Sequence, residues 1–478
     1  MLLRGFELGR LSFWYDEAVS MTMARSREIR ALIAALFTLD ATRAPLHPVM
    51  LHGWIRVFGV SEAAARGLSA VCGVGVVALV HDLGRRRFDR GTGLVAAALA
   101  TWCPPLVYYS REARMYSLLV LLSTLAWWLV LARPITSRRG GRAAYLAVLA
   151  LLGFCHPLGL LMIAALALAA WFERARLGWS AVGWLATHLV AVVLLLGWLP
   201  FYFDHEPEAI QDRLALKYLA AFPLEYIGGN RWCLLLFSGF AVRGAWRDRR
   251  NPAAWVLWIW LLPIPVFLYA YSLVGYPIFG PSRYHLFVAP AYLLLVARGL
   301  TSCSWKIAAP ATALAFGLAW AALPARVYAP DLKADWRAAA SWLSEDQRAR
   351  SETERESILV IAPDPTHPMT EAFTARYYLS QTSTPTRIAI GTTADAAGGP
   401  SRGVRVVTAA RDWPVFEARG FRAAVRFPGL VISTLPGERA RDAQMIVRRH
   451  AVSNAERART IEVESVQVTP TRARSKRW

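Results

Sequence analysis

The sequence predicts a polytopic α-helical membrane protein followed by a small α/β domain outside the cytoplasm. Three observations carry that prediction. The 478 residues are 55% hydrophobic with a mean hydropathy of +0.33, and the apolar residues are gathered into recurring stretches near the 20 or so that cross a bilayer as a helix. Those stretches stop after Pro324. Twenty tryptophans and sixteen tyrosines suit a protein anchored at two membrane interfaces.

Apolar stretches at 63–83, 93–109, 113–131, 143–155, 158–172, 181–201, 228–245, 253–272, 284–300 and 307–323 read as ten spans. The fourth and fifth are short and meet at His156-Pro157, where proline breaks a helix. Either a hairpin or one kinked helix satisfies that pattern. The hairpin puts every arginine-rich loop on one side: Arg85 to Arg90, Arg133 to Arg142, Arg174 and Arg176, Arg243 to Arg250, and Arg298 with Lys306. The positive-inside tendency makes that side cytoplasmic. Residues 1–60 and the domain after Pro330 then lie outside. Within the first segment, 46–60 is too short to span comfortably and suits an interfacial helix. An external N-terminal segment needs a carrier, and residues 1–13 hold no apolar helix or signal core, so a helix preceding Met1 is expected. The organisation is therefore 1–60, a first external loop; 61–325, the membrane domain; and 326–478, the soluble domain.

That domain reads as a helix at 336–343, a strand at 358–361, a helix near 371–379 and strands near 387–390 and 404–407, an α/β pattern. The formal net charge of +21 sits largely in short inter-helix loops, which points to an anionic lipid surface and away from nucleic acid. The five cysteines lie in or beside apolar stretches without ligand spacing, and read as packed apolar residues.

Four constellations hold polar chemistry. In Phe13-Trp14-Tyr15-Asp16-Glu17-Ala18, a carboxylate suits a general base toward an incoming hydroxyl, and equally an acidic helix cap beside an aromatic belt. In Ala44-Pro45-Leu46-His47-Pro48, with His52 five residues after His47, a histidine at a helix N-terminus suits an anion; an interfacial histidine without a task is the alternative. In Val107-Tyr108-Tyr109-Ser110-Arg111-Glu112-Ala113-Arg114-Met115-Tyr116, three charges occupy a tight turn beside hydrocarbon, where charge is costly; an internal Arg–Glu pair would also explain them. In Tyr276-Pro277-Ile278-Phe279-Gly280-Pro281-Ser282-Arg283-Tyr284-His285, at a helix start, Arg283 suits bidentate phosphate binding, or a snorkelling turn residue. All four fall on the external side under a topology derived from other residues.

In this order the four segments resemble the membrane-embedded GT-C glycosyltransferases, in the branch of the protein mannosyltransferases and the lipid A aminoarabinose transferase. Trp14-Tyr15-Asp16-Glu17 is similar to that family's acidic motif, and Pro45-Leu46-His47-Pro48 to its His-Pro-Pro-Leu or Lys-Pro-Pro-Leu segment. Tyr109 to Tyr116 is similar to its second external loop, while Arg283-Tyr284 and Asp335-Trp336-Arg337 resemble later patterns. Departures are Val49 after Pro48, Glu112 where some members carry Asp, and the absence of the family's first transmembrane helix. The resemblance implies inverting sugar transfer from a polyprenyl-phosphate donor to a protein, glycolipid or polysaccharide acceptor. Asp16 would be the base, in an acidic pair with Glu17. His47, Arg111, Glu112, Arg114, Tyr116, Arg283 and Tyr284 would bind acceptor or donor. No cofactor is implied with certainty, and a divalent cation is compatible. A transporter or flippase of lipid-linked sugars would place charge near mid-membrane within internal repeats; the notable charges here sit at helix ends. A non-catalytic scaffold leaves their clustering unexplained.

Overall fold

The computed structural model describes residues 2–131, 139–203, 216–250, 252–274, 279, 282–329, 333–349, 358–361, 369–382, 388–391, 405–409, 422–427 and 430–434. The chain divides into two compact units: residues 1–10 with 19–329, and residues 11–18 with 330–478.

The first unit is helical throughout its described residues. It opens with α1 (Leu2–Gly5), α2 (Tyr15–Ala24, whose first turn belongs to the second unit), α3 (Ile29–Leu39) and α4 (Leu46–Phe58). The bundle follows: α5 (Glu62–Arg87), α6 (Arg90–Trp102), α7 (Pro104–Tyr109), α8 (Tyr116–Leu131), α9 (Arg139–Cys155), α10 (Leu158–Leu177), α11 (Ala181–Leu196) and α12 (Leu199–Phe203). It closes with α13 (Leu216–Ala221), α14 (Arg231–Arg247), α15 (Pro252–Leu261), α16 (Pro263–Val274), α17 (Ala289–Thr301) and α18 (Trp305–Val327). Every predicted span is helical, but three are interrupted: 181–201 at Gly197-Trp198, and two others where the sequence puts proline. The Cys103-Pro104-Pro105 step separates α6 from α7, and Pro263 separates α15 from α16, because proline lacks a donor and constrains the residue before it. Among the described residues, four helical stretches, Glu62–Arg87, Leu158–Leu177, Trp255–Leu273 and Trp305–Val327, are long and apolar enough to cross a membrane.

His156-Pro157 is a hairpin. Arg142, in the first turn of α9, reaches the Gly178 carbonyl just past α10 at 3.5 Å, so the two helices run antiparallel. The turn is tight: a Cβ on Gly159 would lie 2.2 Å from the Leu152 carbonyl oxygen, which only glycine allows. Helix α17 is buried at almost every position, as expected of a helix apolar all round and surrounded by others. Trp127 and Trp260 stack with centroids 5.0 Å apart, and Trp260 donates to the Phe287 carbonyl.

The arginine-rich ends meet one another. Arg87 at the end of α5 pairs with Glu173 near the end of α10 at 2.6 Å, and Arg176 donates to the last carbonyls of α8. Arg298 near the end of α17 pairs with Asp89, the N-cap of α6, and with Asp248, just past α14. The predicted loops thus share one end of the bundle.

In the second unit, α19 (Trp336–Arg348), α20 (Met369–Leu379) and five strands form an α/β fold: β1 (Ile358–Ile361), β2 (Ile388–Gly391), β3 (Arg405–Ala409), β4 (Arg422–Phe427) and β5 (Leu430–Thr434). The sheet order is β2-β1-β3-β5-β4. Strand β1 is parallel to β2 and β3, with Ile358 opposite Ile388 and Arg405. Strands β3, β5 and β4 pair antiparallel, with Val407 opposite Ile432. Buried Trp336, Ala339, Ala340 and Leu343 of α19 recur at helical spacing. The helix runs five residues beyond its predicted end, and β4 and β5 were not expected from the sequence.

Candidate functional site

Each unit holds one group of predicted residues. In the second, Glu17 is fully buried and accepts an ion-paired hydrogen bond from Lys333 at 2.8 Å. The Lys333 ammonium also lies 5.9 Å from the centre of the Trp14 ring, and Ser12 donates to Asp335 at 2.8 Å. Phe13 stacks against Tyr378, whose hydroxyl accepts from the Phe13 amide at 2.6 Å. Asp16, in the first turn of α2, is partly exposed. The acidic motif therefore contains one neutralised carboxylate and one that solvent reaches.

In the first unit, polar residues from four inter-helix turns converge. Asp40 follows α3, and its Oδ1 accepts from the Thr42 amide at 2.8 Å and the Thr42 hydroxyl at 2.7 Å. This local turn is a common use of aspartate. The other oxygen, Oδ2, faces Arg114 at 3.5 Å, both side chains being buried. Arg114 also donates to Ser20 at 3.1 Å, and its carbonyl accepts from Ser69.

His47, the second residue of α4, is buried beside the same pair. Burial, then the Arg114 charge, pushes its pKa down to about 3 against an opposing pull from Asp40. His156, at the α9–α10 turn, is likewise pushed down to about 3, first by burial; Asp40 opposes the shift, and Arg114 and Arg283 add to it. Both imidazoles are neutral near pH 7. The Leu158 amide donates to His156 Nδ1 at 3.1 Å, so that nitrogen carries a lone pair and the proton sits on Nε2. His156 Nε2 and His47 Nε2 are buried with no partner among the described residues.

Arg283 donates to the Tyr284 hydroxyl at 3.1 Å and lies 4.9 Å above that ring's centre. Tyr116 is buried, its ring 5.3 Å from Tyr109 and 6.2 Å from His156. Glu112 is 1% exposed. Arg111 points elsewhere. It donates to the Leu3, Phe6 and Glu7 carbonyls and covers the Tyr328 ring at 4.6 Å, so it fastens the N-terminal segment and α1. His52 donates to the Ala24 carbonyl at 2.8 Å. Of the segment that holds Arg283, Tyr276, Pro277, Ile278, Gly280 and Pro281 lie outside the described residues.

The structure thus groups His47, Arg114, Tyr116 and Arg283 and adds Asp40, Ser20 and His156. Helices α4, α8 and α10 begin beside this group, and helix N-termini carry partial positive charge and free amides. Two guanidiniums, one carboxylate and three helix N-termini make an anion-binding arrangement. Among the described residues, no three histidine, cysteine or acidic side chains gather as a metal site.

The dolichyl-phosphate-mannose-protein mannosyltransferase family matches residues 42–201, which include His47, Arg111, Glu112, Arg114, Tyr116 and His156. No curated protein matches the chain. ArnT from Cupriavidus metallidurans in the apo state superposes with a TM-score of 0.60 at 14% identity, over 90% of this chain and 95% of that one. The same protein bound to undecaprenyl phosphate gives 0.59 at 14% identity, over 92% and 97%. The archaeal oligosaccharyltransferase AglB from Archaeoglobus fulgidus, in complex with an inhibitory peptide and a dolichol-phosphate, gives 0.50 at 12% identity over 86% and 67%. The chain has the GT-C fold that its motifs resemble, and it is a multi-pass integral membrane protein.

Proposed function

We propose that the chain is an inverting glycosyltransferase. It moves a sugar from a polyprenyl-phosphate donor to an acceptor hydroxyl on the extracytoplasmic face of the cytoplasmic membrane. The observation that carries this reading is the meeting of Arg114, Arg283 and three helix N-termini. The likeness to a fold that has been solved with undecaprenyl phosphate supports it.

In this reaction the acceptor oxygen attacks the anomeric carbon as its proton passes to Asp16. The bond from that carbon to the phosphate oxygen breaks, and the phosphate leaves with the electron pair. Negative charge grows on the departing group, where fixed cations and amide dipoles lower the barrier most. His47 and His156 are neutral and add no charge; the Nε2–H of His156 is a donor suited to a phosphate oxygen. Glu112, Tyr116 and Tyr284 line the donor side. Glu17, held by Lys333, and Arg111, held by α1, position their segments.

The test is transfer from radiolabelled polyprenyl-phosphate sugars in membranes carrying the full chain. Label should enter protein, glycolipid or polysaccharide, vanish in Asp16→Asn, and fall roughly 100-fold or more in Arg283→Ala, the size seen when one transition-state donor is removed. Movement of the lipid-linked sugar across the membrane with no new covalent product would favour the transporter reading.

A further inference from the structure

The anion-binding group stands at the N-terminal end of α10. A second feature lies in the C-terminal half of that helix, its Phe172 being about 20 Å along the axis from Leu158 at 1.5 Å per residue. There an apolar groove of about 650 Å³ opens between α10 and α15, walled by Phe172, Trp255, Trp258 and Ile259, with Arg249 and Arg250 at its rim. That volume falls in the range of ordinary ligand clefts.

Several arginines at this end of the bundle are paired with carboxylates, whereas Arg174 and Arg243 are held by a carbonyl or a serine. Arg85 and Arg86 are paired with Asp82, Arg87 and Arg176 with Glu173, and Arg298 with Asp89 and Asp248. The two rim arginines have no such carboxylate among the described residues. Arg249 lies 5.0 Å above the Trp246 ring and donates to the Trp246 carbonyl. Its own carbonyl accepts from Trp255 Nε1 at 2.9 Å, which fixes the rim to the groove wall. Arg250 is exposed, with no hydrogen bond or ion pair to another described residue.

We propose that this groove is a binding site for an anionic phospholipid, one acyl chain lying along Phe172 and Ile259 and the phosphate held by Arg249 and Arg250. An uncompensated arginine pair beside an apolar wall is complementary to a molecule with a phosphate at one end and hydrocarbon at the other. Basic pockets between transmembrane helices recognise anionic head groups in this way. The site is separate from the one proposed for sugar transfer, so it stands or falls independently of that activity.

The experiment is native mass spectrometry of the purified full-length protein with dioleoyl phosphatidylglycerol or dioleoyl phosphatidylcholine. The anionic phosphatidylglycerol should be retained preferentially. At about 1 kcal/mol per basic residue near a lipid surface, the Arg249→Ala/Arg250→Ala variant should lose that preference by roughly thirtyfold. Both arginines are surface residues, so the variant should elute as the parent does. Ile259→Trp, which fills the groove, should reduce retention with the arginines intact. Equal retention of the two lipids, an unchanged preference in the double variant, displacement by inorganic phosphate, or stronger binding of a polyprenyl phosphate would each overturn the proposal.

Discussion

At the scale of single residues, the site is defined by charges that the protein buries only in company. Arg114 and Asp40 sit 3.5 Å apart and are almost inaccessible. Removing one partner of a buried pair typically costs about 3–5 kcal/mol, because the other charge is left desolvated. Asp40→Asn and Arg114→Met should each destabilise strongly, while the double variant should recover part of the loss. A double-mutant cycle on thermal unfolding in detergent reads this directly, and simple additivity would show that the two side chains do not interact. The histidines give a second expectation, in pH. Both His47 and His156 are lowered to about 3, below the unfolded value of about 6.5. Between those values the unfolded chain binds more protons, so their contribution is complete above pH 6.5 and is lost on acidification. Each should cost up to about 1.4 kcal/mol per pH unit below 6.5. The melting temperature should therefore fall from pH 7 to pH 5, and less steeply in His47→Gln/His156→Gln. An identical slope in that variant would show that other groups set the acid response. Legibility divides along the same residues. His47, Arg114, Tyr116 and Arg283 stood out because charge or imidazole next to apolar runs is rare. Asp40 did not: Asp40-Ala41-Thr42 reads as an ordinary turn, and half of its role is that turn. His156 was visible only as a break, although a histidine at a turn on the predicted external side was itself a signal.

At the scale of elements, composition located the helices, and proline broke some of them, while α18 runs through Pro310 and Pro324. Ten apolar stretches became helices, yet the breaks at Pro104-Pro105 and at Pro263 were not foreseen, since apolar length alone does not register a missing donor. Strands β4 and β5 were missed for another reason: Arg422 and Arg426 break the apolar pattern of β4, and the hairpin it forms with β5 joins the sheet through β3, earlier in the chain. How closely helices approach is likewise invisible until they are packed. A Cβ on Gly299 would fall 1.9 Å from the Phe240 carbonyl oxygen, and one on Gly244 would fall 2.5 Å from that of Leu295. Helices α14 and α17 therefore touch backbone to backbone, the kind of contact small residues permit between membrane helices. Gly299→Ala should destabilise by at least the 1–3 kcal/mol of an overpacked core. Gly239→Ala, on the same α14 but with nothing within 4 Å of its Cβ, should be neutral or gain up to about 1 kcal/mol from helix propensity. Thermal scans of the two variants in one detergent settle the comparison. Equal effects would mean that α14 and α17 are not in this contact.

At the scale of the whole molecule, the question is which end of the membrane unit faces which compartment. Two independent patterns point the same way. The loops rich in arginine gather at one end, tied together by Arg87–Glu173 and by Arg298 with Asp89 and Asp248. The buried polar group of Asp40, His47, Arg114, His156 and Arg283 gathers at the other, at the starts of α4, α8 and α10. Loop arginine is retained on the cytoplasmic side during insertion, so the polar group is expected outside, where a lipid-linked sugar meets its acceptor in the proposed reaction. Single cysteines test this without touching either group. Val60 is 47% exposed, just ahead of α5, and Ser304 is exposed at the start of α18, where its side chain makes no cap. In sealed cells with the native cysteines replaced, a membrane-impermeant maleimide should label Val60→Cys and leave Ser304→Cys unlabelled until the membrane is opened. The reverse pattern would put the anion-binding end in the cytoplasm, and the donor would then have to be used on the face where activated sugars are made. Labelling of both in sealed cells would mean that α5 and α18 do not run between the two ends as the packing of the bundle requires.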